Sequence, residues 1–253
     1  MTEPAAPTAA VLLIGNEILS GRTQDANLNH IARQLAVLGI RLKETRIVTD
    51  EEAAIVEALN ALRARYTYVF TTGGIGPTHD DITSECVSKA FGRKHVIHPE
   101  AYRILAAYYA ESGREFNAAR LRMAHTPEGA DLLENKLSRA PGFKIENVYV
   151  MAGIPAVMRA MFEAAVPSLR TGPAVRSRAI ATYLPEGEIA KGLGELQGRF
   201  ESLEIGSYPF VRDGKIGTTL VLRGTDGAAL ERAADELTAL IRSLGAEPVE
   251  EGG

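Results

Sequence analysis

Cysteine is almost absent from the sequence, since Cys86 is the single thiol among 253 residues. One thiol cannot form an intramolecular disulfide or supply a cysteine-based zinc site. The composition therefore favours a protein of a reducing, cytoplasmic compartment. Cys86 falls on a predicted helix, where a small buried residue is a more ordinary interpretation than a catalytic thiol.

The sequence also lacks long basic runs and long apolar runs. Its amino-terminal stretch has no basic segment of the signal-peptide type, and its apolar run is too short to span a bilayer, so we expect no membrane association. Acidic residues (32) outnumber lysine and arginine (28), which gives a formal net charge of −4. This balance argues against nucleic-acid binding driven by charge.

Strands and helices alternate in the first half of the chain. Residues 10–14, 41–48 and 66–70 are predicted strands, and each is followed by a predicted helix. The order is typical of an α/β domain with a mostly parallel sheet, which binds ligands where loops leave the carboxyl ends of its strands. Three polar loops should therefore converge on one edge of the sheet: residues 15–25, 49–52 and 71–83.

The pattern changes near Thr171, where we expect a domain boundary. Before it, the sequence predicts helices over residues 99–111, 117–124 and 156–165, with short strands over 143–145 and 148–151. Beyond it, a β-α-β-β-α order predicts a small α+β module, followed by an acidic tail without regular structure from Glu247 onward. We expect one domain over residues 9–170 and the small module over residues 174–246.

The loop TTGGIGPTHDDIT, residues 71–83, has the composition of an anion site. Gly73, Gly74 and Gly76 permit positive φ and close approach of a ligand, and we include Thr78 in the same phosphate-binding set. The helix that follows directs unpaired N–H groups to the same place. The loop is neither a P-loop nor the dinucleotide fingerprint, because the residues that define those motifs are missing.

The carboxylates near this loop allow two interpretations. Asp80 and Asp81 could cap the following helix, as Thr49 and Asp50 could cap the helix after the second strand. Alternatively, Asp50, Asp80 and Asp81 hold a metal, since carboxylates beside a bound phosphate would repel it unless a cation lies between them. His79 either contacts a phosphate or leaving group or closes the turn.

The first loop carries a dense set of polar side chains. Such residues are common turn formers, and their position at the predicted site also suits contacts with a base or a ribose. The candidate ligand-binding residues in this loop are Asn16, Glu17, Ser20, Asp25 and Asn27.

The motifs GNEILSGRTQDANLNHIARQL, IVTDEE and TTGGIGPTHDDIT together resemble the molybdopterin-binding-type domain of the competence/damage-inducible protein A family, which also forms the amino-terminal part of eukaryotic FAD synthases. NVYVMAGIPAVMRAMFE resembles a fourth block of that family, and IGSYPF followed by TTLVLRG resembles its small second module. The resemblance covers residues 11–244 and implies a three-layer αβα domain with a mostly parallel sheet. It corresponds to a short form without the carboxyl-terminal amidase domain.

The resemblance implies a metal-dependent pyrophosphatase that releases AMP from ADP-ribose- or FAD-like dinucleotides. It places the family's acidic, metal-binding residues on Asp81, Asp80 and Asp50. We expect catalysis to depend on Asp81 and Asp50, with His79 or an aspartate orienting the attacking water. The implied cofactor is magnesium, manganese or cobalt, with potassium as a further candidate, and the implied partners are a small nucleotide or pterin and further copies of the chain. Two positions depart from the family pattern: Asn16 replaces an aspartate and Ala152 replaces a proline.

Other functions remain open from the sequence. The same family includes proteins that adenylylate molybdopterin, and a non-catalytic pterin or nucleotide carrier would need the same loop. The β-α-β-β-α module resembles RNA-binding modules in outline, yet it has neither a GXXG clamp nor a stacking-aromatic strand.

Overall fold

The computed structural model describes residues 6–251, so the first five and last two residues of the sequence lie outside it. The chain divides into two compact units, with the main boundary between Gly172 and Pro173. No helix in the described range is both long enough and apolar enough to cross a bilayer.

The first unit alternates helices and strands. Its elements are β1 (Thr8–Ile14), α1 (Asn16–Leu19), α2 (Asn27–Val37), β2 (Arg41–Val48), α3 (Glu52–Arg65), β3 (Tyr68–Thr72), α4 (Thr83–Ala90), β4 (His95–Ile97), α5 (Pro99–Glu111), α6 (Ala118–Leu121), β5 (His125–Pro127), β6 (Asp131–Leu133), β7 (Gly142–Ile145), β8 (Val148–Met151) and α7 (Pro155–Ala165). Short 3-10 turns follow α6 and α7.

Six of these strands form one sheet in the order β2-β1-β3-β8-β7-β6. The pairs β1–β2, β1–β3 and β3–β8 are parallel, whereas β7 pairs antiparallel with both β6 and β8. Ile14 lies opposite Val48, and Leu13 lies opposite Thr72, so the carboxyl ends of β1, β2 and β3 meet at one edge. The predicted convergence of three loops is thereby confirmed.

Helices cover both faces of the sheet. Leu12 and Ile14 of β1 pack with Ile55 and Leu59 of α3, and all four are at most 2% exposed. On the other face, the Phe70 ring lies 5.4 Å from the Phe162 ring of α7, and His30 of α2 contacts Phe162 edge-on. The bare apolar run of β1 is buried on both sides, as its lack of alternation predicts.

Two differences from the predicted elements have local causes. β3 begins at Tyr68 and not at Tyr66, because the Tyr66 N–H donates to Leu62 O and closes α3. The two-stranded sheet of β4 and β5 was not predicted. Its three-residue strands are too short for a periodic pattern to reveal them.

The second unit is a four-stranded antiparallel sheet with two helices. Its elements are β9 (Arg176–Thr182), α8 (Glu186–Arg199), β10 (Glu204–Arg212), β11 (Lys215–Gly224), α9 (Gly227–Ser243) and β12 (Val249–Glu251), and the strand order is β10-β11-β9-β12. Apolar side chains of α8 and α9 pack on the sheet around Ile180 and Leu220. The expectation of an unstructured acidic tail was wrong, because Val249 pairs with Ala181 and β12 covers the edge of β9.

Candidate functional site

A cavity of about 610 Å³ opens at the edge of the large sheet where β1, β2, β3 and β8 end. Its volume lies within the range of small-molecule sites, and its position at the carboxyl ends of parallel strands is where α/β sheets bind ligands. We call it the main pocket. Its walls come from the glycine loop, the ends of β1 and β2, the loop before β7 and the turn after β8.

The glycine loop presents unused backbone donors to the main pocket. The Gly73 N–H donates to Met151 O at 3.1 Å, so the expected contribution of Gly73 to a phosphate cradle is not available. The N–H groups of Gly74, Ile75 and Gly76 have no acceptor within residues 6–251, and all three residues line the pocket. Successive free N–H groups of this kind form an anion-binding concavity.

Two of the loop positions require glycine. Gly73 and Gly74 have φ of +104° and +67°, which L side chains rarely adopt. A Cβ on Gly73 would collide with Ile14 O, and one on Gly74 would collide with the Thr83 hydroxyl. Thr83 itself holds the loop, since its hydroxyl donates to Gly73 O and its N–H donates to Gly74 O, both at 3.0 Å.

Asp50 and Asp81 are held by backbone donors and do not cap α3 and α4, the helices that follow them. The Asn16 N–H donates to Asp50 Oδ2 at 2.8 Å, and the Thr78 N–H donates to Asp81 Oδ2 at 2.8 Å. The expected caps were wrong: the N-caps of α3 and α4 are residues 51 and 82, and neither makes a side-chain cap bond. Asp50 Oδ1 and Asp81 Oδ1 have no hydrogen-bond partner in the described part of the chain.

The Thr78 hydroxyl influences both aspartates of the loop. It donates a hydrogen bond to Asp81 Oδ2. Hydrogen bonding with the Thr78 side chain, followed by the N–H of Asp80 itself, lowers the pKa of the Asp80 carboxyl below its ordinary value. Asp80 is therefore ionised at neutral pH.

All charged side chains among the described residues that line the main pocket are acidic. Four carboxylates line it, those of Glu17, Asp50, Asp80 and Asp81, and no lysine, arginine or histidine of the described residues does so. A phosphate would meet favourable backbone donors there and unfavourable acidic side chains. A cation between the two would remove that conflict, and no cationic side chain of the pocket supplies it.

The side chains of the main pocket fit a metal ion that is also bound by the phosphates of a ligand. They do not fit a metal ion that is bound by the protein alone. Among residues 6–251 no group of three or more histidine, cysteine, aspartate or glutamate side chains is placed to hold a metal ion, so Asp50, Asp80 and Asp81 do not form a protein-only site. Magnesium commonly binds through one or two carboxylates plus substrate phosphates and waters. The donor chemistry therefore fits a cation that is shared with a phosphate-bearing ligand.

Several predicted site residues do not line the main pocket. His79 and Thr78 lie on the exposed part of the glycine loop, and Asn16 reaches the site only through its N–H. The Ser20 hydroxyl donates to Glu17 O within its own short helix, and Asp25 Oδ1 accepts from the Leu28 N–H at the start of α2.

Asn27 acts at a distance from the pocket surface. It is 4% exposed, and its side-chain amide donates to Gly153 O at 2.8 Å. Gly153 lies in the turn after β8, lines the main pocket and approaches Gly73 closely. Asn27 is therefore a positioning residue that ties α2 to the pocket wall.

The sequence did not indicate the wall that precedes β7. Ser138 and Ala140 line the main pocket on either side of Arg139, which has a φ of +64°. The buried amide of Asn135 holds this segment by donating to Ser138 Oγ and Ala140 O. Arginine rarely adopts positive φ, so the sequence contains no motif that would predict this turn.

Comparisons with known families agree with the fold. Residues 10–171 match a family described as "Probable molybdopterin binding domain", and residues 174–250 match "FAD synthase, middle domain". A protein of Pyrobaculum calidifontis is 35% identical over 212 residues, which are 80% of this chain and 81% of that protein. A CinA-like protein of Desulfosudis oleivorans is 36% identical over 168 residues, covering 64% of this chain and 41% of the relative.

A solved structure also resembles this chain. The crystal structure of the protein CinA from Thermoplasma acidophilum, described as of unknown function, superposes with a TM-score of 0.60 at 30% identity. The match covers 64% of this chain and 98% of that protein. The chain therefore belongs to the CinA family of proteins with a molybdopterin-binding-type domain, and it carries a second unit of the FAD synthase middle-domain type.

Proposed function

We propose that this protein is a metal-dependent pyrophosphatase that cleaves the phosphoanhydride bond of ADP-ribose- or FAD-like dinucleotides and releases AMP. One observation carries the proposal: three free N–H groups and four carboxylates share a pocket that no cationic side chain of the described residues lines. That combination suits a diphosphate that arrives with a divalent cation better than a neutral ligand or a free anion.

The N–H groups of Gly74, Ile75 and Gly76 would bind the phosphate group that is not attacked by water. These N–H groups are preorganised, because Thr83 fixes the loop by donating hydrogen bonds to Gly73 O and Gly74 O. Water adds to one phosphorus atom and the bridging P–O bond breaks, so the products are AMP and a second phosphate monoester. Asp81 keeps one oxygen without a partner in the described chain, which could accept a proton from that water.

Asp81, together with either Asp50 or Asp80, would hold the divalent cation, magnesium, manganese or cobalt, and the phosphates of the ligand would complete its binding. When bound, such an ion neutralises the charge that develops on the phosphoanhydride. Asp80 contributes a permanent charge, since its pKa is lowered. Asp50 and Asp81 are each oriented by a backbone N–H, so their free oxygens are fixed before the ligand arrives.

The apolar wall of the main pocket suits a heterocyclic ring. Met123, Val157 and Met161 line it, and Ile154 is 66% exposed at the turn that also lines it. An exposed isoleucine beside a polar site is a contact surface for the flat face of a base or of a pterin.

The family description favours a second candidate function, binding or adenylylation of molybdopterin. A pterin would use the same apolar wall, and its phosphate would use the same loop. A carrier without catalytic activity would retain the ligand and show no turnover. Asn16, which departs from the aspartate of the family pattern, keeps this alternative open.

The proposal is tested by incubating the purified protein with ADP-ribose, FAD, NADH and ATP in the presence of magnesium, manganese or cobalt. AMP release is followed by chromatography. We expect metal-dependent AMP from a dinucleotide and a loss of at least roughly 10²-fold in kcat for Asp81→Asn. Glu51→Gln is the matched control, because it neutralises an acidic residue next to Asp50 that does not line the pocket.

The absence of turnover with every substrate and metal would contradict the hydrolase proposal. A pterin or nucleotide that stays bound through purification would then support the carrier. Transfer of AMP from ATP to an added pterin, with release of pyrophosphate, would support the adenylylation reaction.

A further inference from the structure

A second, smaller cavity of about 210 Å³ adjoins the main pocket. Ile75, Gly76, Asp81 and Met123 line both cavities, so a ligand anchored at the glycine loop can extend from one into the other. We call this second cavity the annex and define it by Ser84, Glu85, His95, Arg122 and His125. Its volume lies below the range of complete ligand sites, so it can accept only part of a ligand.

The fold brings two histidines together in the annex. β4 and β5 pair so that Ile97 lies opposite His125 and His95 lies opposite Pro127. The imidazole rings of His95 and His125 have centroids 5.2 Å apart. The Ser84 side chain, at the start of α4, contacts both residues.

The hydrogen bonds determine which nitrogen of His95 carries hydrogen. The Ser84 hydroxyl lies 2.8 Å from His125 O, a carbonyl that can only accept, so its single hydrogen is used there. His95 Nε2 lies 3.1 Å from the same Ser84 oxygen and must therefore donate to it. Burial and then the neighbouring His125 lower the pKa of His95, so the ring is neutral at pH 7 and its Nδ1 is an acceptor.

The same reasoning applies to His125. Its Nδ1 lies 3.1 Å from Leu121 O and must donate to that carbonyl, so Nε2 is the nitrogen that can accept when the ring is uncharged. No described residue donates to Nδ1 of His95 or to Nε2 of His125. The annex thus contains two imidazole nitrogens that can accept hydrogen bonds from a ligand.

The charges of the annex disfavour an anion. Asp81 and Glu85 are acidic, and Arg122 is the one arginine or lysine among the described residues that line it. Arg122 already donates to Asp81 O at 3.2 Å, and Glu85 pairs with Lys89 at 2.9 Å. A second phosphate would meet the Asp81 carboxylate there, whereas an uncharged donor would meet two imidazole acceptors.

We infer that the annex is a specificity subsite for an uncharged ring that carries hydrogen-bond donors, held by His95 and His125 and located beyond the phosphates of the ligand. This inference rests on the proposed function, because the phosphates anchor the ligand at the glycine loop. The donors can be the hydroxyl groups of a sugar or the amino group of a heterocycle, and the two sources share the same chemistry.

Binding of ligands that cannot be hydrolysed tests the subsite independently of turnover. Isothermal titration calorimetry, with magnesium present, compares α,β-methylene ADP-ribose with α,β-methylene ADP, which lacks the distal sugar, and a third titration uses 6-hydroxymethylpterin. The variants are His95→Leu and Ser84→Ala. His30→Leu is the matched control, since His30 contacts Phe162 and lines neither cavity. The melting temperature of each variant shows that it is folded.

We expect α,β-methylene ADP-ribose to bind wild type more tightly than α,β-methylene ADP, and His95→Leu to weaken the former roughly threefold to tenfold. The affinity for α,β-methylene ADP and all affinities of His30→Leu should not change. Weakening of the pterin alone would identify the heterocycle as the occupant. The inference fails if His95→Leu and Ser84→Ala change none of these affinities, or if they weaken α,β-methylene ADP to the same extent.

Discussion

Single residues decide the shape of the anion site. Gly74 combines positive φ with close contact to Thr83, and the Thr83 hydroxyl at the same time holds Gly73 O. Thr83, which is 0% exposed, therefore fixes the positions of both Gly73 and Gly74. A change at either glycine disturbs the donors that the loop presents.

Replacement of Gly74 by alanine should destabilise the first unit by about 2–5 kcal/mol, since the left-handed backbone and the collision with Thr83 both contribute. Gly113→Ala is the matched control: its φ of +66° is the same, but a Cβ there meets nothing within 4 Å. We expect about 1–2 kcal/mol for the control. Urea unfolding followed by far-UV circular dichroism measures both, because the chain has no tryptophan. Equal midpoints for the two variants would contradict this account of the loop.

The sequence predicted the glycine loop and its carboxylates, because both depend on local composition. It did not predict the positioning role of Asn27, whose hydrogen-bond partner Gly153 lies 126 residues further along the sequence. It also missed the annex histidines, since their proximity depends on the pairing of two three-residue strands. Local patterns identify residue types that suit a ligand, whereas long-range contacts decide which of them reach it.

At the scale of elements, α2 holds the wall of the main pocket. Its first residue, Asn27, is buried and bonded to the turn between β8 and α7. Helices at the positions of α2, α3 and α5 were predicted because apolar residues repeat along one face over three or more turns. The short strands β4, β5 and β6 offer too few residues for such a repeat.

Asn27→Ala should lower the free energy of unfolding by about 0.5–1.5 kcal/mol, because the hydrogen bond from the buried Asn27 side chain to Gly153 O is lost. It should also weaken ligand binding at the main pocket, since Gly153 lines that pocket. Asn117→Ala is the control, as Asn117 caps the exposed start of α6. That variant should cost about 1 kcal/mol and leave the ligand affinity unchanged. Asn27→Ala with wild-type affinity would show that the turn is positioned by other contacts.

At the scale of the whole molecule, the core protects the single thiol. Cys86 is 1% exposed among the apolar side chains between α3 and α4, and burial raises its pKa to about 11. A raised pKa means that the folded protein binds this proton more tightly than the unfolded chain. The contribution of this group to stability therefore falls as the pH rises above the ordinary cysteine value.

Labelling of Cys86 by Ellman's reagent should be at least roughly 10²-fold slower in the folded protein at pH 7.5 than in guanidinium chloride, because little thiolate forms and the sulfur is covered. The rate in the folded state should increase with pH towards the raised pKa. One thiol per chain in the denatured sample gives the reference value. Rapid stoichiometric labelling of the folded protein at pH 7.5 would show that this part of the core opens readily.

The main pocket takes its walls from Ile14 to Met161, which is nearly the full length of the first unit. The pocket therefore forms only when segments from most of the first unit are folded together. Binding and folding are thermodynamically linked: a ligand at one hundred times its Kd adds about 2.7 kcal/mol to the stability of the native state. The cellular concentration of the ligand would then control how long the protein persists as well as how fast it acts.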